Sequence, residues 1–280
     1  MDLVQRISAF LLSLYLCLAG LAQQLPNRPG SFRFAVIGDS GTGARHQYEV
    51  GRQLASSLKT FRFETVVMMG DNIYGRDTPK DYQQKFELPY KALLDAGVKF
   101  YASLGNHDST SQANYKLFNM GGKRYYTFKP HDDVRFFALD STAMTPDQLA
   151  WLEKELAASA SDWKIVYCHH PLYSSGARHG SDMPLRAVLE PLLLKYKVSL
   201  ALAGHDHFYE RIQPQKGLQY FVVGGSAKLR AGNVRRTNLT AKAFDTDNSF
   251  MLMEIDKDTL YFQTISRAGA TVDSGSFTRH

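Results

Sequence analysis

The chain has 280 residues, enough for one large domain or two small ones and for a substantial core. Its composition, 44% hydrophobic and 21% charged, is ordinary for a soluble globular protein. A net charge of +6 favours anionic partners, but the absence of a long Lys/Arg block argues against nucleic acid and leaves phosphorylated small molecules or an acidic surface.

In chain order, residues 1–22 have the form of a signal peptide. Arg6 supplies the positive start, Ile7 to Leu18 is the apolar run, and Gly20-Leu21-Ala22 places small residues for cleavage after Ala22. An uncleaved anchor helix is the competing reading, and bulky Leu16 before Cys17 argues against a lipid attachment site. Cleavage would leave a secreted or periplasmic protein with no stable membrane anchor. It would also leave Cys168 as the only cysteine, so no internal disulfide can form even in an oxidising compartment. Residues 23–31 are a polar, Pro-containing linker, and one domain is expected over 32–280.

Within that domain, Phe32–Ile37, Thr65–Met69 and Val98–Leu104 are predicted strands. Gln47–Lys59 has helical spacing, and Tyr82–Ala96 is predicted as a helix that Pro89 kinks or breaks. Tyr125–Phe128 and Val134–Leu139 form a predicted hairpin about His131-Asp132-Asp133. Thr145, Pro146 and Gln148 mark a helix start, continued by Leu149, Leu152 and Leu156. Lys164–Cys168 and Val198–Ala203 are predicted strands, with a helix over Leu185–Tyr196 between them despite Pro191. The tail is β-rich, with strands at Tyr220–Val223, Phe250–Ile255 and Leu260–Ile265 and a turn at Asp256-Lys257-Asp258. Alternating strands and helices before such a tail predict an α/β domain in which two packed sheets are flanked by helices.

Five acid and histidine clusters punctuate these elements. They are Gly38-Asp39-Ser40-Gly41, Gly70-Asp71-Asn72-Ile73-Tyr74, Gly105-Asn106-His107-Asp108, Cys168-His169-His170-Pro171 and Gly204-His205-Asp206-His207. Each sits at or just after a strand-like run, where open α/β sheets place ligands. Taken singly, most have a plain explanation: Gly-Asp after a strand is a common turn, and a histidine at a strand end is often buried structure. His205 and His207 are harder to dismiss, because i and i+2 in extended chain face one side. Together the five supply hard oxygen and imidazole donors enough for two metal ions, suited to Fe, Zn or Mn. A carboxylate between two such ions would bridge them at about 3.5–4 Å.

On these clusters, and on the run Gly204-His205-Asp206-His207-Phe208-Tyr209-Glu210-Arg211, the chain resembles the metallophosphoesterase (calcineurin-like) superfamily, and within it the purple acid phosphatases of tartrate-resistant type. Most superfamily members carry a metal-binding histidine two residues after the first aspartate, where this chain has Gly41. Purple acid phosphatases use a tyrosine three residues after the bridging aspartate, and here that residue is Tyr74. The resemblance implies an α/β/β/α sandwich of two mixed sheets. It also implies a dinuclear centre: Fe(III) on Asp39, Asp71, Tyr74 and His207, and Fe(II), Zn(II) or Mn(II) on Asp71, Asn106, His169 and His205, bridged by Asp71. His107 and His179 match the family's histidines near the leaving group. His170 is expected to be structural, Cys168 a buried apolar residue, and Glu210 and Arg211 an ion pair behind the site or substrate contacts.

The implied reaction is hydrolysis of a small phosphate monoester by a metal-bound hydroxide, with a protonated histidine serving the leaving group at acidic pH. A phosphodiesterase or nucleotidase on the same scaffold, and a non-catalytic surface protein that retains the fold, remain open alternatives. A DNA-processing nuclease is opposed by the export signal, by Gly41 and by the lack of a basic block. Lys228 to Asp247 is either a substrate-side loop or a solvated one, and the sequence does not set the oligomeric state.

Overall fold

A computed structural model describes residues 25–160 and 163–279. The expected signal segment and its cleavage site after Ala22 lie outside the described residues.

Thirteen strands are described: β1 (Phe32–Ile37), β2 (Thr65–Met68), β3 (Lys99–Ala102), β4 (Tyr126–His131), β5 (Val134–Ala138), β6 (Trp163–Tyr167), β7 (Leu200–Ala203), β8 (Tyr209–Ile212), β9 (Gln219–Val223), β10 (Thr240–Phe244), β11 (Ser249–Asp256), β12 (Thr259–Ser266) and β13 (Thr271–Thr278). They form a six-stranded sheet, β13-β12-β11-β1-β2-β3, and a seven-stranded sheet, β10-β8-β9-β7-β6-β5-β4. Both are mixed. β1, β2 and β3 run parallel, as do β5, β6, β7 and β9, while the remaining pairings are antiparallel. β1, β2 and β7 are buried without alternation, as strands covered on both faces must be.

The sheets pack face to face over one apolar core. Phe34 of β1 meets Phe136 of β5 at 5.2 Å, and Phe221 of β9 meets Phe262 of β12 at 5.0 Å. Helix α1 (Arg45–Ser57) buries Val50 and Leu54 in this core. Between β2 and β3 lie α2 (Pro79–Tyr82) and α3 (Lys91–Asp95), and beyond β5 come α4 (Pro146–Ala157) and α5 (Met183–Lys195). Leu152 and Leu156 of α4 and Leu185, Leu189 and Leu193 of α5 join Val166, Ala201 and Tyr220 in a second core outside the seven-stranded sheet. The packing of that face outweighs the missing N–H of Pro191 inside α5. Layers of helix, sheet, sheet and helix result, as expected.

Three local outcomes differ from the sequence expectation. The helix expected over Tyr82–Ala96 starts earlier, at Pro79, because Thr78 and Asp81 form a reciprocal cap. It then makes one wide turn, with the Leu88 N–H donating to Gln83 O at 2.9 Å, breaks around Pro89 as expected and resumes as α3. At α4, Thr145 caps Gln148 N–H at 3.2 Å as expected, but the Gln148 side chain turns away from the cap. It accepts from Asp140 N–H at 2.8 Å and donates to Asp140 O at 2.9 Å. Finally, Glu210 and Arg211 do not pair, because neighbours on β8 face opposite sides of the sheet. Glu210 accepts from Ser175 N–H at 2.8 Å, whereas Arg211 reaches across to Asp273 of β13 at 2.8 Å.

Among the described residues, no helix is long and apolar enough to cross a membrane.

Candidate metal centre

The five clusters lie at the carboxyl ends of β1, β2, β3, β6 and β7, and the two sheets bring those ends together. Asp39, Asp71 and His205 leave their strands with positive φ, at 52°, 52° and 67°. For residues with side chains each such turn costs about 1–3 kcal/mol, and such strain gathers at functional sites.

Two groups of donors result. In the first, ligand atoms of Asp39, Asp71 and His207 lie within 4.8 Å of one another. His207 Nε2 is 3.3 Å from Asp39 Oδ1. The Tyr74 hydroxyl sits 3.2 Å from Asp39 Oδ1 and 3.4 Å from His207 Nε2. In the second, His169, His170 and His205 bring their nitrogens within the same distance. His169 Nε2 is 2.9 Å from Asn106 Oδ1, 3.0 Å from His205 Nδ1 and 3.5 Å from Asp71 Oδ1. Asp71 therefore faces both groups. Every residue assigned to the metals in the sequence is brought to this one place.

Gly41 explains how Tyr74 arrives. A Cβ added there would lie 1.9 Å from Asn72 O and 2.5 Å from Ile73 N, so no side chain fits. The two loops are zipped at this point, with Gly41 N–H donating to Asp71 O at 3.1 Å and Tyr74 N–H donating to Gly41 O at 2.9 Å. A histidine at position 41 is sterically incompatible with the backbone that delivers Tyr74. Gly105 is constrained in the same way, since a Cβ there would meet Asp71 Oδ1 at 2.2 Å.

The electrostatics of the site call for cations. Burial holds the Asp39 carboxyl well above its usual range. Burial, then Asp39 and Asp71, push the Tyr74 hydroxyl far up. Burial and the neighbouring imidazoles push His205 down to about 2, and burial followed by the Arg230 charge pushes His207 down to about 4. His169 Nδ1 lies 2.8 Å from Met69 O, which can only accept, so Nδ1 carries the proton and Nε2 points a lone pair into the site. Lone pairs thus converge from carboxylate, amide, phenol and imidazole, which is the environment that a hard or borderline divalent or trivalent metal satisfies. The donor set fits a dinuclear metal centre.

Other groups hold these ligands in place. The Asp108 carboxylate accepts from the N–H groups of Asn72, Ile73 and Gly105 at 2.8 to 3.0 Å, and burial raises it to about 7. His107 N–H donates to Asp71 Oδ1 at 3.0 Å, while its exposed ring lies 5.1 Å from the Tyr74 ring. The exposed His179 ring lies 4.2 Å from that of His205. Its loop is tied down by Asp206, whose Oδ2 accepts from Ser174 Oγ at 2.6 Å and Gly180 N–H at 3.1 Å. Neither Asp108 nor Asp206 carried a role in the sequence, although both lie inside the clusters. His170 packs at 4.4 Å against His205, and its Nδ1 meets Ser141 Oγ at 2.9 Å. Cys168 is buried, and burial pushes its thiol up to about 12.

Compared with known proteins, residues 32–209 match the sequence profile described as calcineurin-like phosphoesterase. Tartrate-resistant acid phosphatase type 5 of Rattus norvegicus is 24% identical over 319 aligned residues, covering 96% of this chain and 97% of its own. Among solved structures, a purple acid phosphatase from yellow lupin seeds superposes with a TM-score of 0.74 at 20% identity, covering 91% of this chain and 55% of its own. A Plasmodium protein described as the anchor in the inner membrane complex superposes with a TM-score of 0.75 at 20% identity over 89% of both chains. These last two likenesses establish the fold.

Proposed function

Because the chain belongs to the calcineurin-like phosphoesterase family, we propose that it is an exported acid phosphatase with a dinuclear metal centre that hydrolyses phosphate monoesters of small molecules. The observation that carries the purple acid phosphatase assignment is the Tyr74 hydroxyl, 3.2 Å from Asp39 and 3.4 Å from His207, above a Gly41 that admits no side chain. A phenolate is a hard anionic donor that favours Fe(III), so Asp39, Asp71, Tyr74 and His207 are assigned to that ion. Asp71, Asn106, His169 and His205 are assigned to the second, which is Fe(II), Zn(II) or Mn(II). Held by those residues, two such ions would supply Lewis-acid stabilisation of negative charge and activation of water.

The chain's own residues do the rest. Asp71, facing both donor groups, fixes their separation. Asp108 and Asp206 keep the ligand loops from relaxing. His107 and His179 stand exposed at the rim of the donor cluster, where an imidazolium can hold the phosphate or give its proton to the departing alkoxide. Burial lowers the His179 pKa, Asp206 raises it in part, and the Arg230 and Arg178 charges lower it again. It carries its proton only on the acid side of its usual range, which supports an acidic optimum. The run over residues 1–22 supports export. Retention of the whole donor set opposes a non-catalytic role.

Hydrolysis of p-nitrophenyl phosphate by metal-replete protein across pH tests this function. Turnover with a maximum on the acid side is expected. A maximum at strongly alkaline pH, or no turnover of any phosphate ester, would contradict it.

A further inference from the structure

The loop that follows β9 brings two of its cations, Lys228 and Arg230, to the metal-ligand loops. Its backbone runs along the metal-ligand loops: Lys228 N–H donates to Asp39 O at 3.1 Å and Arg230 N–H donates to His207 O at 3.0 Å. Further on it is zipped to the His179 loop, with Ala177 N–H donating to Asn233 O at 2.8 Å and Arg235 N–H donating to Ser175 O at 2.9 Å. Asn248 adds a side-chain bond to Lys228 O at 3.3 Å. The loop is therefore a fixed wall of the site. The Lys228 ammonium stands 4.5 Å over the Tyr74 ring. Arg230 Nη1 is buried and has no hydrogen-bond partner, while the Arg230 charge acts on both His207 and His179.

Arg230 as a whole is half-buried, and a buried guanidinium N–H without an acceptor is costly, so one beside the donor cluster is placed to take an acceptor from a bound anion. A guanidinium fork matches phosphate oxygens. We propose that Arg230 is a specificity-determining residue that takes a non-bridging oxygen of the substrate phosphate, so that this site selects monoesters over diesters. The inference rests on the phosphatase reading above and adds the group that discriminates. A monoester offers three terminal oxygens and up to two negative charges, whereas a diester offers two oxygens and one charge. Two oxygens directed at the metals and one at Arg230 would use all three of the monoester's, whereas a diester would have none left for Arg230. Lys228 adds charge at the same rim and favours the dianion in the same direction.

The test compares p-nitrophenyl phosphate with bis(p-nitrophenyl) phosphate on the metal-replete full chain, together with calorimetric binding of inorganic phosphate. For R230Q the monoester-to-diester ratio of kcat/KM is expected to fall about 10- to 100-fold, mostly through monoester KM, and phosphate binding to weaken about tenfold. R230K keeps the charge without the fork and is expected to recover part of the loss. K228Q, a change at an exposed position, is expected to lower the ratio by a smaller factor that shrinks with salt. Thermal unfolding confirms that each variant is folded. A ratio and a phosphate affinity unchanged in folded R230Q overturn the inference alone, whatever K228Q does. A wild-type enzyme that prefers the diester, or turns over neither ester, overturns the monoesterase reading beneath it.

Discussion

Gly41 and Tyr74 act as one device at the residue scale. The Asn72–Ile73 peptide occupies the space that a side chain at position 41 would need, and that same peptide leads the chain to Tyr74. Gly41→Ala is therefore expected to destabilise the protein by about 1–3 kcal/mol through overpacking, seen as a lower unfolding midpoint in urea. An unchanged midpoint would show that the two loops can part without cost. Asp206 is the second residue whose effect exceeds its size. Asp206→Ala leaves Ser174 Oγ and Gly180 N–H without their acceptor, at about 1–3 kcal/mol. Phosphatase activity is expected to fall more than stability does, because the freed loop carries His179. Activity equal to wild type would detach that loop from the reaction. The candidate donors could be recognised in the sequence because their clusters follow strands. Asp206 could not be given its task, because its partners lie some thirty residues earlier in a loop of no regular pattern.

Elements were legible where apolar runs are uninterrupted. β2 and β7 are short, wholly buried stretches, β1 is buried except at Arg33, and their ends mark the loops that carry the donors. β8 is hidden in the sequence because Tyr209, Glu210 and Arg211 continue the run that begins at Gly204 and show no apolar stretch of their own. β10 and β13 are edge strands whose side chains are mostly half-buried or exposed, so Thr240–Phe244 and Thr271–Thr278 carry no strong apolar alternation. The outer edge nevertheless matters to α1. Glu49 on α1 accepts from Arg45 at 2.7 Å and Arg267 at 2.6 Å, tying the helix to the turn between β12 and β13. Those guanidiniums hold Glu49 down to about 2, below its usual 4.5. A depressed carboxylate stabilises the fold above the unfolded pKa, and the contribution is lost as pH falls from 4.5 towards 2. Melting of Glu49→Gln against wild type is expected to differ at pH 7 and to converge near pH 2. A difference that persists there unchanged would exclude the carboxylate charge as its source.

On the scale of the whole molecule, two sheets meet so that carboxyl ends of parallel strands from both open on one side. That arrangement gathers donors from five loops, and the buried carboxyls, phenol and imidazoles among them are electrostatically incomplete without cations. Removing metal with a chelator is accordingly expected to lower the unfolding temperature, with recovery on reloading. The donors gathered here stand in five clusters that could be picked out in the sequence, and the resemblance to purple acid phosphatases assigned them to two ions. The wall made by Lys228 and Arg230 was not, because its loop has no motif and gains meaning only from lying against Asp39 and His207. The most direct measurement is metal analysis with a visible spectrum of the purified full chain, beside the Tyr74→Phe variant. About two metal ions per chain are expected, iron among them, with a band in the green-yellow that Tyr74→Phe abolishes. Metal-replete, active protein without such a band, or with a band that survives the substitution, would contradict the tyrosine-ligated iron centre.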